Sequence, residues 1–198
     1  ELSSSDMTTS SGYKSTRTGY SLGTEFEQYQ NVYLSPSFVA QIEEITVEDS
    51  ATDSVKKMKG SFNNLDFNYG ITLDERNQPF QPTSGYIAKF SQSIPIVMDS
   101  SSFLNGITVS TYHDFSENLI GAIKFSGKAI TGVDEDVRLT HRLYIPQKRL
   151  RGFNTKRVGP KDGVDWVGGN YISTLGVEAQ LPKLLPESSR TDISLFLD

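Results

Sequence analysis

Leu65-Asp66-Phe67-Asn68-Tyr69-Gly70-Ile71-Thr72-Leu73 alternates without a break. Leu65, Phe67, Tyr69, Ile71 and Leu73 fall on one face, and Asn64, Asp66, Asn68, Gly70 and Thr72 fall on the other. A period of two is the pattern of a β-strand, because successive side chains leave the pleat on opposite sides. The same period recurs in both directions from here. Residues 13–29 set Tyr20, Leu22 and Phe26 against Arg17, Ser21, Glu25 and Glu27, and residues 32–47 line up Val32, Leu34, Phe38, Ala40 and Ile42. Residues 86–97 set Tyr86, Ala88, Phe90, Ile94 and Ile96 against Lys89, Ser91 and Ser93, with Pro95 expected to weaken the strand end. Residues 104–116 carry Ile107, Val109 and Phe115, and residues 119–133 set Leu119, Ile123, Phe125 and Ala129 against Lys124, Ser126 and Lys128. Residues 170–182 and the run through Ile193, Leu195 and Leu197 complete about eight strands. Almost nothing repeats at 3.6 residues, so the fold class is all-β.

Strand length separates the two all-β possibilities. Most runs cover about 10–16 residues, where soluble sheets average roughly 5–6 and a tilted membrane crossing takes roughly 9–11. Lys89, Lys124, Lys128 and Glu178 stand in mid-strand, where a water-filled lumen solvates them. A soluble β-sandwich also alternates, with its polar face outward. Connections alternate in length as well. Gln30-Asn31, Glu117-Asn118, the turn at 75–85 and the turn at 183–190 lie on one side; segments 48–60, 99–103 and 134–169 lie on the other. The expected architecture is an antiparallel up-and-down transmembrane β-barrel, present as a partial barrel: an open, curved sheet.

Composition narrows function further. The 198 residues contain no Cys, which excludes disulfides and thiolate metal sites. The net charge of -5 points away from nucleic acid. No apolar run approaches the roughly 20 residues of a membrane helix. His113 and His141 have no partner at metal-ligand spacing and read as solvated or lumen residues. Asp134-Glu135-Asp136 and Lys56-Lys57-x-Lys59 read as solvated loops, with a cation and lipopolysaccharide phosphates as the sharper alternatives, and Trp166 reads as a packing anchor for its loop. No metal site, cofactor or nucleophile–base–acid constellation emerges, so an enzyme is not expected. Glu1 opens without Met and Asp198 falls inside an alternating run, which suggests an interior piece of a longer chain.

Four segments carry more specific information. Asp74 to Gly85 contains Pro79-Phe80-Gln81-Pro82-Thr83-Ser84-Gly85. The long loop, about 134–169, carries Leu150-Arg151-Gly152-Phe153, followed by Val158-Gly159-Pro160 and by Gly168-Gly169-Asn170. Gly176-x-Glu178 and Phe196-x-Asp198 lie on the next two strands. In this order they resemble the Omp85 family of outer-membrane barrels: a periplasmic turn, the tip of the signature loop, the loop's return path and paired inward motifs. The segment before the tip, Arg142-Leu143-Tyr144-Ile145-Pro146-Gln147, lacks the Gly-Gly often found there.

The resemblance implies that residues 1–198 are part of a barrel domain, corresponding to the family's sixth through thirteenth strands, with POTRA repeats and terminal strands outside. It implies residence in the bacterial outer membrane and non-covalent insertion and assembly of other outer-membrane proteins. Nascent outer-membrane proteins, accessory assembly lipoproteins, the bilayer and lipopolysaccharide would be its partners. Secretion transport by a two-partner or autotransporter-assembly barrel is the alternative within the family, and a passive porin-type channel the one outside it. By strand parity Glu178 and Asp198 face the lumen, where a loop folding inward brings Arg151 to both. Gly152 permits the bend, and Phe153 is expected to pack against lumen groups such as Phe196.

Overall fold

A computed structural model describes every residue except 1, 9–12, 50, 52, 99–101, 134, 155, 164, 183 and 186–191. Its main sheet is antiparallel throughout. The strands are β1 (Leu2–Thr8), β2 (Tyr13–Gly23), β3 (Phe26–Tyr29), β4 (Val32–Leu34), β5 (Ser37–Val47), β6 (Gly60–Asp74), β7 (Gly85–Met98), β8 (Ser102–Ser116) and β9 (Leu119–Gly132). After a small hairpin, β10 (Lys161–Asp162) and β11 (Asp165–Trp166), come β12 (Tyr171–Leu181) and β13 (Ile193–Leu197). Pairing runs β1-β2-β5-β6-β7-β8-β9-β12-β13. Each strand sits beside its sequence neighbour, which is the up-and-down meander.

The expected eight runs become nine paths through the sheet. The additional one is β1, Leu-Ser-Ser-Ser-Asp-Met-Thr, which pairs with β2 from Leu2↔Tyr20 to Thr8↔Lys14. Its three consecutive serines offer no apolar period to read. The runs at 13–29 and 32–47 are each a single path with an interruption. β2 gives way to β3 at Thr24-Glu25, and β4 to β5 at Ser35-Pro36. Pro36 has no N–H for the ladder, and its carbonyl accepts from the Thr24 N–H at 3.1 Å. Pro95 acts similarly. The β6–β7 register shifts between Leu65↔Val97 and Asp66↔Pro95, and β7 pairs with β8 only as far as Ser93.

Burial runs opposite to that of a soluble sheet. Ser15, Glu43, Asn64, Asp66, Ser110 and Glu178 are buried, while Tyr20, Leu22, Phe38, Ile71, Ile123, Leu175 and Leu195 are exposed. A soluble sandwich buries its apolar face, so the soluble alternative fails on this point. The apolar face instead presents a surface suited to acyl chains. Aromatic contacts run across that face from Phe38 to Phe67, Tyr69 and Phe90, with ring centroids 5.1–6.2 Å apart.

The polar face is concave. Gln81, in the turn between β6 and β7, donates its side-chain amide to Asp192 beside β13 at 3.1 Å. In a flat sheet those strands would be roughly 19 Å apart at 4.8 Å per strand. The sheet nevertheless stays open: β1 and β13 do not pair with each other among the described residues.

Segment 48–60 is less solvated than its composition suggests. It forms a helical turn, α1 (Asp53–Lys56), that tucks Val55 and Met58 against Tyr13 and Ile45. Val47, Ala51, Phe62 and Leu139 pack around that cluster. Lys56, Lys57 and Lys59 remain exposed. The result is an apolar plug at the long-loop rim. No helix among the described residues is long and apolar enough to cross a membrane.

Candidate functional site

The long connection from β9 to β12 folds back onto the polar face. It is built from local pieces, each satisfying its own backbone. Leu143 and Gly169 exchange two backbone hydrogen bonds of 2.8 and 2.9 Å, closing the base. The Tyr144 hydroxyl donates to the Trp166 carbonyl at 2.9 Å. A 3-10 turn over Gln147–Arg149 ends at Leu150 and delivers Arg151. These contacts define the ascending path that lacks Gly-Gly. On the return, the Val167 N–H donates to the Pro160 carbonyl at 3.1 Å, and the Asn170 carbonyl accepts from Ile130 of β9 at 2.8 Å. Gly159 and Gly168 both have positive φ, and Trp166 sits in the β10–β11 hairpin under the Lys161 ammonium.

Arg151 is the centre of the arrangement. Its Nε and Nη2 donate to the two oxygens of Asp198 at 2.7 and 2.6 Å. Its backbone N–H adds a third bond to Asp198 Oδ2 at 3.0 Å. Its Nη1 donates to Glu178 Oε1 at 2.7 Å, and the other Glu178 oxygen accepts from Lys124 at 2.5 Å. The guanidinium plane lies 3.6 Å above the Phe196 ring. Fork, carboxylates and ring thus use the planar geometry that distinguishes Arg from Lys. Hydrogen bonding to Asp198, then to Glu178, raises the Arg151 pKa further above its already high value.

Two glycines make the approach possible. Gly152 has φ +86 with open space around it, so its requirement is conformational. Gly176 is steric: a Cβ there would lie 2.9 Å from Asp198 Oδ1. Phe153 departs from expectation. It is exposed, and the group stacked on Phe196 is the Arg151 guanidinium. The charged fork has the stronger claim on that ring, because stacking leaves its N–H edges free for the carboxylates.

The turn from Asp74 to Gly85 closes the opposite end. Arg76 clamps Asp74 through Nε and Nη2 at 2.7 and 2.6 Å and reaches the Pro79 carbonyl at 3.0 Å. Asn77 bonds the Thr83 hydroxyl and accepts from the Thr83 and Ser84 N–H groups. Pro82 is buried, Phe80 is exposed, and Gly85 opens β7 at φ +90.

The remaining sequence candidates are not drawn together. His113 packs edge-on against Phe115 on the apolar face, away from the lumen, whereas His141 touches Glu43 at 3.2 Å. Asp136 pairs with Arg142 at 2.9 Å; Asp134 lies outside the described residues, as does most of the turn at 183–190. Among the described residues no cluster of His, Cys, Asp and Glu is arranged to hold a metal ion. The sequence reading did not find Glu43: a lone carboxylate on a half-polar strand has no signal until the loop is folded onto it.

The Omp85 superfamily domain matches residues 2–198. A curated relative, the outer membrane protein assembly factor BamA of Neorickettsia risticii (strain Illinois), is 26% identical over 71% of this chain and 19% of its own length. The crystal structure of BamA from Haemophilus ducreyi lacking POTRA domains 1-3 superposes with a TM-score of 0.84 at 18% identity, covering 98% of this chain and 44% of that one. The chain therefore spans less than half the length of either relative. An inside-out antiparallel sheet, a loop folded onto its polar face and a family match along nearly the whole sequence lead to one assignment: this chain belongs to the Omp85 superfamily and is an integral β-barrel component of the outer membrane.

Proposed function

We propose that the chain forms part of the wall and the signature loop of an assembly barrel that folds and inserts other β-barrel proteins into the outer membrane. The observation that carries this reading is the Arg151 fork on Asp198 and Glu178. A passive pore has no need to hold a long loop inside itself by a multiply hydrogen-bonded ion network. A machine that must keep one side of its wall rigid while another side yields does need such a brace. The chemistry is non-covalent: client strands would add to an exposed strand edge by β-augmentation. The partners in this reading are nascent outer-membrane proteins, accessory lipoproteins, the bilayer and lipopolysaccharide, with no cofactor. The wall is completed by strands beyond β1 and β13, and POTRA repeats belong to the same protein.

The test uses the full-length protein in liposomes. It should speed the folding of an urea-denatured client barrel, and Arg151→Ala should remove most of that acceleration. Steady ion conductance with no effect on client folding would instead establish a channel.

A further inference from the structure

The loop is gripped at a second place, far from Arg151. Glu43 on β5 is completely buried, and its two oxygens are divided between two neighbours. Oε1 accepts from Ser15 at 2.8 Å and from Arg17 Nε at 3.0 Å, both on β2. Oε2 faces the root of the long loop: Thr140 Oγ1 at 3.4 Å, His141 Nε2 at 3.2 Å and Arg138 Nη1 at 4.0 Å. Arg17 strengthens the join by donating from Nη2 to the Thr140 carbonyl at 3.2 Å. Arg138 also stacks on Phe62 at 3.5 Å, and Leu139 packs on the apolar plug. The loop therefore crosses the concave face from β2 and β5 at its root to β12 and β13 at its tip.

We propose that Glu43 is a positioning residue for the signature loop. One carboxylate oxygen holds the wall strand and the other holds the loop's root, and this bridge sets where the loop enters the lumen and how Arg151 is presented to Asp198. The inference deepens the assembly reading, since it concerns the same loop. A carboxylate is required because donors approach both oxygens. Glutamine has the same shape but one oxygen, so its amide N–H groups would face donors on one side. Aspartate keeps both oxygens on a shorter stem.

The test is a distance measurement in the full-length protein in liposomes. Nitroxide labels are placed at Asn154→Cys on the tip and Val133→Cys just after β9; residues 1–198 contain no Cys, and any Cys elsewhere in the full-length protein is replaced by Ser. The expected result is one narrow distance in the parent, a broadened or split distribution in Glu43→Gln, and partial recovery in Glu43→Asp. A combined Thr140→Val, His141→Leu variant removes only loop-side donors and should broaden the distribution too, which decides the matter if Glu43→Gln does not fold. An unchanged narrow distance in Glu43→Gln, or in the loop-side variant if that one alone folds, would overturn the proposal. The distance does not depend on client folding, so a broadened tip with normal acceleration would leave this inference standing and count against the role given to the loop.

Discussion

Arg151 concentrates three donated hydrogen bonds and a ring contact on one side chain, so its substitutions separate charge from shape. Arg151→Lys keeps the charge and loses the fork. Breaking one side of a buried ion pair costs about 3–5 kcal/mol. Arg151 is about one-quarter exposed, at 28%, so Arg151→Ala should cost less, about 2–3 kcal/mol after allowing for solvent screening. Arg151→Lys should recover less than half of that. The temperature at which the full-length barrel loses its compact form on a denaturing gel reads both. Gly176→Ala offers an independent check. The added methyl would meet Asp198 Oδ1 at 2.9 Å, so the carboxylate must shift within the fork. If that is its whole effect, Gly176→Ala and Asp198→Ala should be strongly non-additive. Additive losses would show that Gly176 acts elsewhere.

At the scale of a strand, facing decides the effect of a charge. Ile123 and Lys124 are neighbours on β9 with opposite environments: Ile123 is 49% exposed on the apolar face, while Lys124 bonds Glu178 on the polar one. Ile123→Lys should cost about 2–4 kcal/mol if it sits near the bilayer midplane. Ser126→Lys, on the inner face of the same strand, should cost far less. Reversible unfolding of the full-length protein in liposomes would measure both, and equal penalties would contradict the inside-out assignment. This alternation is the part of the fold most legible in the sequence. It placed β2 to β9, β12 and β13 on the correct paths because an apolar period of two leaves little freedom in register, and it read the short β10–β11 hairpin only as part of the long loop. It failed at β1, where Ser3-Ser4-Ser5 has no period, and at 48–60, where Val55 and Met58 are buried one helical turn apart among exposed lysines. Arg151 was legible through the resemblance of Leu150–Phe153 to the family's loop tip, and parity then put Glu178 and Asp198 on the inner face. Glu43 was not legible, since its importance depends on loop residues 97 and 98 positions away.

The whole molecule is a sheet tied across its concave side at both ends. At the long-loop rim the loop spans from Glu43 to Asp198, and at the short-turn rim Gln81 reaches Asp192. These ties hold curvature, yet they satisfy no backbone group on the outer edges of β1 and β13. A membrane offers no water for such groups, and an aqueous solution offers other edges to join. The 198-residue chain produced alone should therefore aggregate without detergent, driven by paired edges and by exposed Leu22, Leu175 and Leu197. Charges on the apolar face should reduce aggregation only in part, because the edges remain. Appending strands that close the sheet should suppress it more, because closure is what removes an edge. Size-exclusion chromatography of the isolated chain, the surface-charged chain and the strand-extended chain ranks the two contributions. A monodisperse, detergent-free monomer of the unmodified chain would show that the ties across the lumen are enough to make the open sheet a stable unit.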